Sequence, residues 1–329
     1  MSLQHHVEKN KELFLRYQDE VINRHDFSES NLRRFISDDF VDHSDRREDL
    51  RGNDAVKMRQ KDWLEAFPDS REETTKVIGE RDLLAVMFTT SGRHVAPYLG
   101  IPASNRNVAI KGIRIVRVVD GRIAELWAIN DYLAIATQLG AQIAFQPAGA
   151  IAGGAPSRAR PPREAISYEA QVAKIQTRDP AMRRNILTLL GFQRDIFNAQ
   201  DWRVETLARY LKSDIIDHNA FAGDPPGLEG VQYRFAGWQA AFDDSEEENV
   251  AMVGEDDTLA VLYHLHASHN GNFMGIPATK RSVSIPGIEI LRFEDGMIAE
   301  HWGIYDFMVT AQEVGAKLVF RSSAFGAVA

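Results

Sequence analysis

The chain has 329 residues, 44% hydrophobic and 26% charged, with a formal net charge of −9 and no cysteine. That length leaves room for two domains, and the missing cysteines exclude disulfides, thiolate nucleophiles and cysteine-held metals, in keeping with a reducing compartment. An acidic balance without a concentrated basic footprint speaks against nucleic acid and membrane as partners; no apolar run reaches the roughly 20 residues of a membrane span and the N-terminus lacks a secretory apolar core, so the expected location is cytoplasmic.

Taken in chain order, Val7, Leu13, Phe14, Tyr17 and Val21 fall near helical spacing and predict a helix over 7–23. Ser28 or Ser30 offers a cap for a short second helix. "DFVDHS" (39–44) reads as a brief strand, and 53–67 as a helix with Val56, Gln60, Trp63 and Phe67 on one side. Strand-like runs follow at 75–80, 82–92, 107–119 and 122–131, the last two joined by Asp120-Gly121, a strong hairpin signal. Helices followed by an antiparallel meander predict an α+β domain whose helices cover one face of a curved sheet.

The order then repeats. "AELWAIND" (124–131) returns as "AEHWGIYD" (299–306), and a shift of 175, from Asp131 to Asp306, aligns the copies without a gap from about 20 to about 145. Under that shift Asp42-His43 meets Asp217-His218, Trp63 meets Trp238, Phe67 meets Phe242, His94 meets His269, and "GIPA" at Gly100 meets "GIPA" at Gly275. Roughly four aligned positions in ten are identical, and so long a period means a duplicated domain, not a solenoid. Between the copies, "QPAGAIAGGAPSRARPP" (146–162) is rich in Gly, Ala and Pro, and its short basic stretch reads as a solvated linker. The expected division is copy one at 1–147, linker at 148–164 and copy two at 165–329.

Strand alternation places Ile123, Glu125, Trp127, Ile129 and Asp131 on one face, and Ile298, Glu300, Trp302, Ile304 and Asp306 on its counterpart. All five positions are identical while the opposite face varies, and large apolar groups beside carboxylates suit a polar-floored pocket wall. Each residue also has a plainer reading. Glu125 can pair with an arginine such as Arg117, and Asp131 can cap the following helix. The histidine pairs His43/His218 and His94/His269 can simply be hydrogen-bonded on half-buried strands, though their repetition beside carboxylates favours acid–base work. Trp63, Trp127 and their repeats Trp238 and Trp302 read as part core and part pocket wall. "HLHASH" (264–269) keeps only its last histidine in copy one, so no metal site is expected.

These residues resemble the SnoaL-like polyketide cyclase (ester cyclase) family of the nuclear-transport-factor-like superfamily. The resemblance rests on "DFVDHS", "AFPD", the histidine ahead of "GIPA", and "VVDGRIAELWAINDYLAIATQLG", and covers nearly all of each copy. It implies tandem cone-shaped domains forming an intrachain pseudo-dimer and an intramolecular aldol closure without cofactor on a small carbonyl-bearing substrate. It implies Asp131 and Asp306 as acid/base, assisted by His43 and His218, with His94 and His269 beside them. Trp127, Phe67, Trp302 and Phe242 would supply the apolar pocket, with Trp63, Trp238, Glu125 and Glu300 completing it. A carboxylate in such a pocket has a raised pKa and can take the acidic proton between two carbonyls, then return it to the aldol oxygen. A hydrolase or isomerase on the same scaffold and a non-catalytic small-molecule binder are the alternatives. Val95 and Pro97 add bulk beside His94 that copy two lacks, so the second pocket is expected to carry most turnover.

Overall fold

The structure is a computed structural model that describes residues 3–44, 49–147, 161–273, 275–314 and 316–322. The chain divides into two compact units, one built on residues 1–144 and one on 145–317. Most of the expected linker, 148–160, lies outside the described residues.

Unit one begins with α1 (Leu3–Tyr17), which widens into a π-helical turn over Gln18–Ile22, then α2 (Glu29–Leu32). Next come β1 (Ile36–Asp42), β2 (Leu50–Arg51) and α3 (Gly52–Ala66). The meander follows: β3 (Arg71–Glu80), β4 (Leu83–Arg93), β5 (Asn107–Val119) and β6 (Arg122–Asn130), closed by α4 (Tyr132–Gln138) and β7 (Ala141–Pro147). The sheet runs β2-β1-β6-β5-β4-β3, with β1 parallel to β6 and the other pairs antiparallel. Asp120 and Gly121 both take positive φ, 50° and 70°, as a two-residue I′ hairpin requires. Phe14, Val21, Phe35 and Val56 from the helical layer pack on Leu84, Val86 and Val116 of the sheet, all at most 3% exposed.

Unit two repeats this plan. A 3-10 turn (Arg163–Ala165) and α5 (Tyr168–Ala173) lead to α6 (Pro180–Phe192), a second π-helical turn (Gln193–Asn198) and α7 (Val204–Leu207). Then come β8 (Leu211–Asp217), α8 (Gly227–Ala241), β9 (Glu246–Glu255), β10 (Thr258–Ser268), β11 (Ser282–Glu294), β12 (Met297–Tyr305) and α9 (Phe307–Glu313). The last strand, β13 (Ala316–Ser322), is counted with unit one from Leu318 on. The five-stranded sheet runs β8-β12-β11-β10-β9. Both units are therefore helix-covered sheets from a tandem duplication, as the repeat requires. Among the described residues no helix is long and apolar enough to cross a membrane.

Candidate active site

A single extra residue on the hairpin strand decides which side chains face the interior. Arg292 pairs with Glu300 and Phe293 with Ile298, so Ala299 is bulged out of the ladder. The same slip occurs at Ala124, between the pairs Arg117–Glu125 and Val118–Ile123. A bulge reverses the side-chain phase beyond it. Ile298 and His301 therefore both line an interior cavity of unit two, and Glu300 and Trp302 turn to the opposite face. The expected five-residue pocket wall is broken at its first member, since Ile123 joins the core under the helices.

The cavity holds about 30 Å³, room for roughly two water molecules. Its apolar lining includes Phe192, Phe197, Phe235 and Leu291, and three titratable residues reach it: Asp217, Glu289 and His301. Asp217 ends β8, Glu289 sits in mid-β11, and His301 follows the β12 bulge. The His301 Nδ1 lies 3.1 Å from Asp217 Oδ1 and its Nε2 lies 3.6 Å from Glu289 Oε1. Asp217 is further held by the Arg234 guanidinium on α8 and by the backbone N–H of Asn219. Glu289 Oε1 accepts from the hydroxyls of Tyr305 at 2.6 Å and Tyr263 at 2.9 Å. The Tyr305 oxygen also stands 3.3 Å from His301 Nε2, bridging imidazole and carboxylate.

Two glycines make the room. Gly287 faces Tyr263 across the β10–β11 ladder, and a Cβ there would lie 2.5 Å from the Tyr263 ring. A Cβ on Gly303 would lie 2.6 Å from the Tyr305 hydroxyl and 3.0 Å from His301 Nε2.

The charges set one another. Burial alone would strip His301 of its proton, but the hydrogen bonds and charges of Asp217 and Glu289 reverse this and push its pKa up to about 10. Burial works against ionised Asp217 as well, yet His301, Asn219 and Arg234 hold its carboxyl well below the usual range. Glu289 is likewise lowered against burial, by His301, Tyr305 and Tyr263. The resting arrangement is an imidazolium between two carboxylates.

Unit one builds the same places differently. Asp42 is gripped by Arg59 Nη1 at 3.0 and 2.9 Å, matching Asp217 with Arg234. At the position of Glu289 stands Arg114, ion-paired to Glu72 and stacked 3.7 Å over the Phe88 ring. Leu126 replaces His301, Phe88 replaces Tyr263 and Asn130 replaces Tyr305. The buried set becomes two closed arginine–carboxylate pairs.

The expected site residues separate into two groups in each unit. On the sheet face away from the helices, His43 stacks on Trp127 (4.6 Å, 14°) and His218 on Trp302 (4.3 Å, 7°). Glu125 and Glu300 bridge that histidine, at 3.2 and 3.0 Å, to Arg117 and Arg292, at 2.9 and 2.6 Å. The salt-bridge reading of Glu125 is thus realised with Arg117. In the second group Trp63 stacks on Phe67 (4.2 Å), and Phe67 on fully buried His94 (5.2 Å). Trp238, Phe242 and His269 meet in the same order in unit two, with their rings tilted by 34° and 36°. His94 Nδ1 accepts the Ser104 backbone N–H at 3.2 Å and His269 Nδ1 that of Thr279 at 3.3 Å, so each ring ties down the residue that follows "GIPA". Desolvation lowers both imidazoles, leaving them neutral.

Asp131 joins neither group. Its Oδ1 accepts the Ala134 N–H at 2.9 Å, capping α4. Asp306 holds the same place before α9, its carbonyl accepting from the N–H and hydroxyl of Thr310 at 3.0 and 2.8 Å. Val95, expected to narrow the first pocket, is an exposed side chain. His264 and His266 share a face as expected, and among the described residues no three His, Asp or Glu side chains group as metal ligands.

The sequence model of the family described as SnoaL-like polyketide cyclase matches residues 12–139 and again 187–314. This chain belongs to that family. A similar protein is the aklanonic acid methyl ester cyclase DauD of Streptomyces sp. (strain C5), 30% identical over 115 residues, which are 33% of this chain and 66% of DauD. The chain thus spans just under two thirds of that relative. Similar solved structures include AclR of Streptomyces galilaeus (26% identity, TM-score 0.36, covering 41% of this chain and 97% of AclR). A SnoaL-like polyketide cyclase of Agrobacterium tumefaciens str. C58 is 20% identical with a TM-score of 0.35, covering 40% of this chain and 98% of its own.

In this SnoaL-like tandem, sequence reasoning passed over the buried acid–base residues. Glu289, His301, Tyr263 and Tyr305 all occupy positions where the copies differ, whereas identity between the copies marks the opposite face of the strand. The available signal was the exchange itself: Arg114 against Glu289 reverses a charge on a strand otherwise too apolar to tolerate one unpaired.

Proposed function

We propose that unit two is the catalytic unit, and that its cavity performs cofactor-independent acid–base chemistry of the cyclase type on a small carbonyl-bearing substrate. The observation that carries this reading is the line Asp217–His301–Glu289 in the cavity wall, closed by Tyr305. Perturbed groups that converge on a cavity are the usual mark of such a site. Asp131, by contrast, is engaged as a helix cap, and the acid–base role moves from Asp131 and Asp306 to the interior residues.

The chemistry follows from the geometry. A methylene between two carbonyls gives its proton to the Glu289 carboxylate, and the resulting enolate oxygen is stabilised by the His301 imidazolium. The enolate carbon attacks a second carbonyl of the same molecule, forming the ring bond, and the alkoxide takes a proton from His301. Glu289 is then protonated and His301 neutral. Tyr305, hydrogen-bonded to one and in contact with the other, passes the proton back and resets the pair. Asp217, fixed by Arg234, holds the imidazole ring in place and favours its charged form.

A cavity of about 30 Å³ is far below the roughly 300 Å³ or more of ordinary ligand pockets. Admission of substrate therefore needs the wall to open, and the π-helical turn that carries Phe197 is a wall segment of a kind often found at functional sites.

The test does not require the natural substrate. Simple and polyketide-like 1,3-dicarbonyl compounds are incubated with the full chain in heavy water, and methylene exchange above the buffer rate is followed by NMR. Catalysed exchange that vanishes in Glu289→Gln supports the reading; exchange unaffected by Glu289→Gln and His301→Asn overturns it.

A further inference from the structure

Unit two buries a carboxyl that this mechanism does not use. Glu247, on β9, is 4% exposed and occupies the position of Glu72 in unit one. Glu72 is matched there by the Arg114 cation and by the Gln18 amide at 3.0 Å. Both kinds of support are altered around Glu247. Arg114 gives way to a second acid, Glu289. The Gln193 amide, which still lends Glu247 a polar contact, is closed on Asn249 by reciprocal bonds of 3.0 and 2.7 Å.

The groups facing Glu247 are Gln193 from the π-helical turn, Tyr263 from β10, Glu289 from β11 and His301 from β12. Two carboxylates in so dry a place cannot both stay ionised, and the better-supported one takes the charge. Glu289 has two phenol donors and an imidazolium; Glu247 has an amide already engaged.

We propose that Glu247 stands in the resting site as a neutral carboxylic acid, a positioning residue that leaves Glu289 as the anionic member of the pair. Burial and the Glu289 charge push the Glu247 carboxyl well above the usual range, in the same sense. Ionising Glu247 would draw a proton onto Glu289 and consume the base before substrate arrives. The role as a positioning residue rests on Glu289 being that base; the protonation state does not.

The experiment is infrared difference spectroscopy on the full chain at neutral pH, wild type against Glu247→Gln, with Glu289→Gln as the second variant. A protonated-carboxyl band is expected that is lost in Glu247→Gln. In Glu289→Gln the band persists but titrates lower, by about one pH unit or more if the two sites are coupled. Glu247→Gln, which mimics the neutral acid in shape, should keep methylene exchange at neutral pH, and the alkaline limb of its rate profile should move up toward the titration of His301. Absence of the band at neutral pH, or a band lost in Glu289→Gln and kept in Glu247→Gln, overturns the proposal. A band present in a protein that exchanges no 1,3-dicarbonyl proton overturns the positioning role together with Glu289 as base, while the neutral acid stands.

Discussion

The interiors of the two units differ by a few exchanges at matched positions: Arg114 for Glu289, Leu126 for His301, Phe88 for Tyr263 and Asn130 for Tyr305. In unit one each buried carboxylate meets a guanidinium, which does not give up its proton at any ordinary pH. Asp42–Arg59 and Glu72–Arg114 are therefore closed pairs that can hold the fold but cannot move protons. In unit two one guanidinium remains, on Asp217, and the second cation is an imidazole between two carboxylates. The same backbone thus supports an electrostatically sealed core in one place and a core with a titratable cation in the other.

The sharpest way to break this comparison is to remove the matched acids. Glu289→Gln should lower methylene-exchange turnover by about 10²–10⁴, the usual cost of a lost acid–base group. Glu72→Gln should leave the turnover of folded protein near wild type but strand the buried Arg114, costing unit one about 3–5 kcal/mol. Denaturant unfolding followed by unit-resolved hydrogen exchange measures the second effect. Equal kinetic losses from the two variants would mean that both interiors are catalytic.

Alkaline pH should separate the units without any mutation. The folded state raises the His301 pKa from 6.5 to about 10. Its stabilising contribution is thus complete below about pH 6.5 and is lost as the pH rises through about 10. The arginines of unit one do not titrate in that window. Hydrogen exchange between pH 8 and 10 should show unit two opening first, and His301→Asn should reduce the difference, leaving the part that the raised Glu247 carboxyl contributes in the same sense. On the acid side the order of causes reverses. Asp217 and Glu289 are lowered by their partners, so their contribution is present above the ordinary carboxylate range and is lost as the pH falls below it.

Gly303→Ala probes the same contrast on a smaller scale. The added methyl would meet the Tyr305 hydroxyl at 2.6 Å and His301 Nε2 at 3.0 Å, an overpacking cost of about 1–3 kcal/mol. Activity should fall by about tenfold, which corresponds to 1.4 kcal/mol, with the fold retained. Unit one already carries alanine there, at Ala128, and Ala128→Gly should cost no more than about 1 kcal/mol of stability with turnover untouched. Full activity in Gly303→Ala would show that the spacing between His301 and Tyr305 is not used.

The smallest expected effect belongs to Asp131. Asparagine caps a helix about as well as aspartate, whereas alanine costs about 0.5–2 kcal/mol. Asp131→Asn should therefore be nearly silent in both stability and activity, and Asp131→Ala should lower thermal stability alone. A loss of about 10² or more in turnover from Asp131→Asn would return the acid–base role to the strand ends.

Much of this protein is determined by sequence alone. The 175-residue offset, the helices-then-meander order and the Asp120-Gly121 and Asp295-Gly296 turns depend on local periodicity and on residues that accept positive φ. The family follows from the same local patterns. Some pairings were legible as options, such as Arg117 with Glu125 and the cap at Asp131, because both depend on neighbours along one strand or one helical turn. What tertiary structure alone decided is which face of the hairpin strand looks inward. Alternation is a two-residue rule, and one bulged residue, Ala124 or Ala299, reverses it for every side chain beyond. The register across β8, β11 and β12 then brought Asp217, Glu289 and His301 together. These contacts span 12 to 84 positions of chain, and no local spacing encodes them.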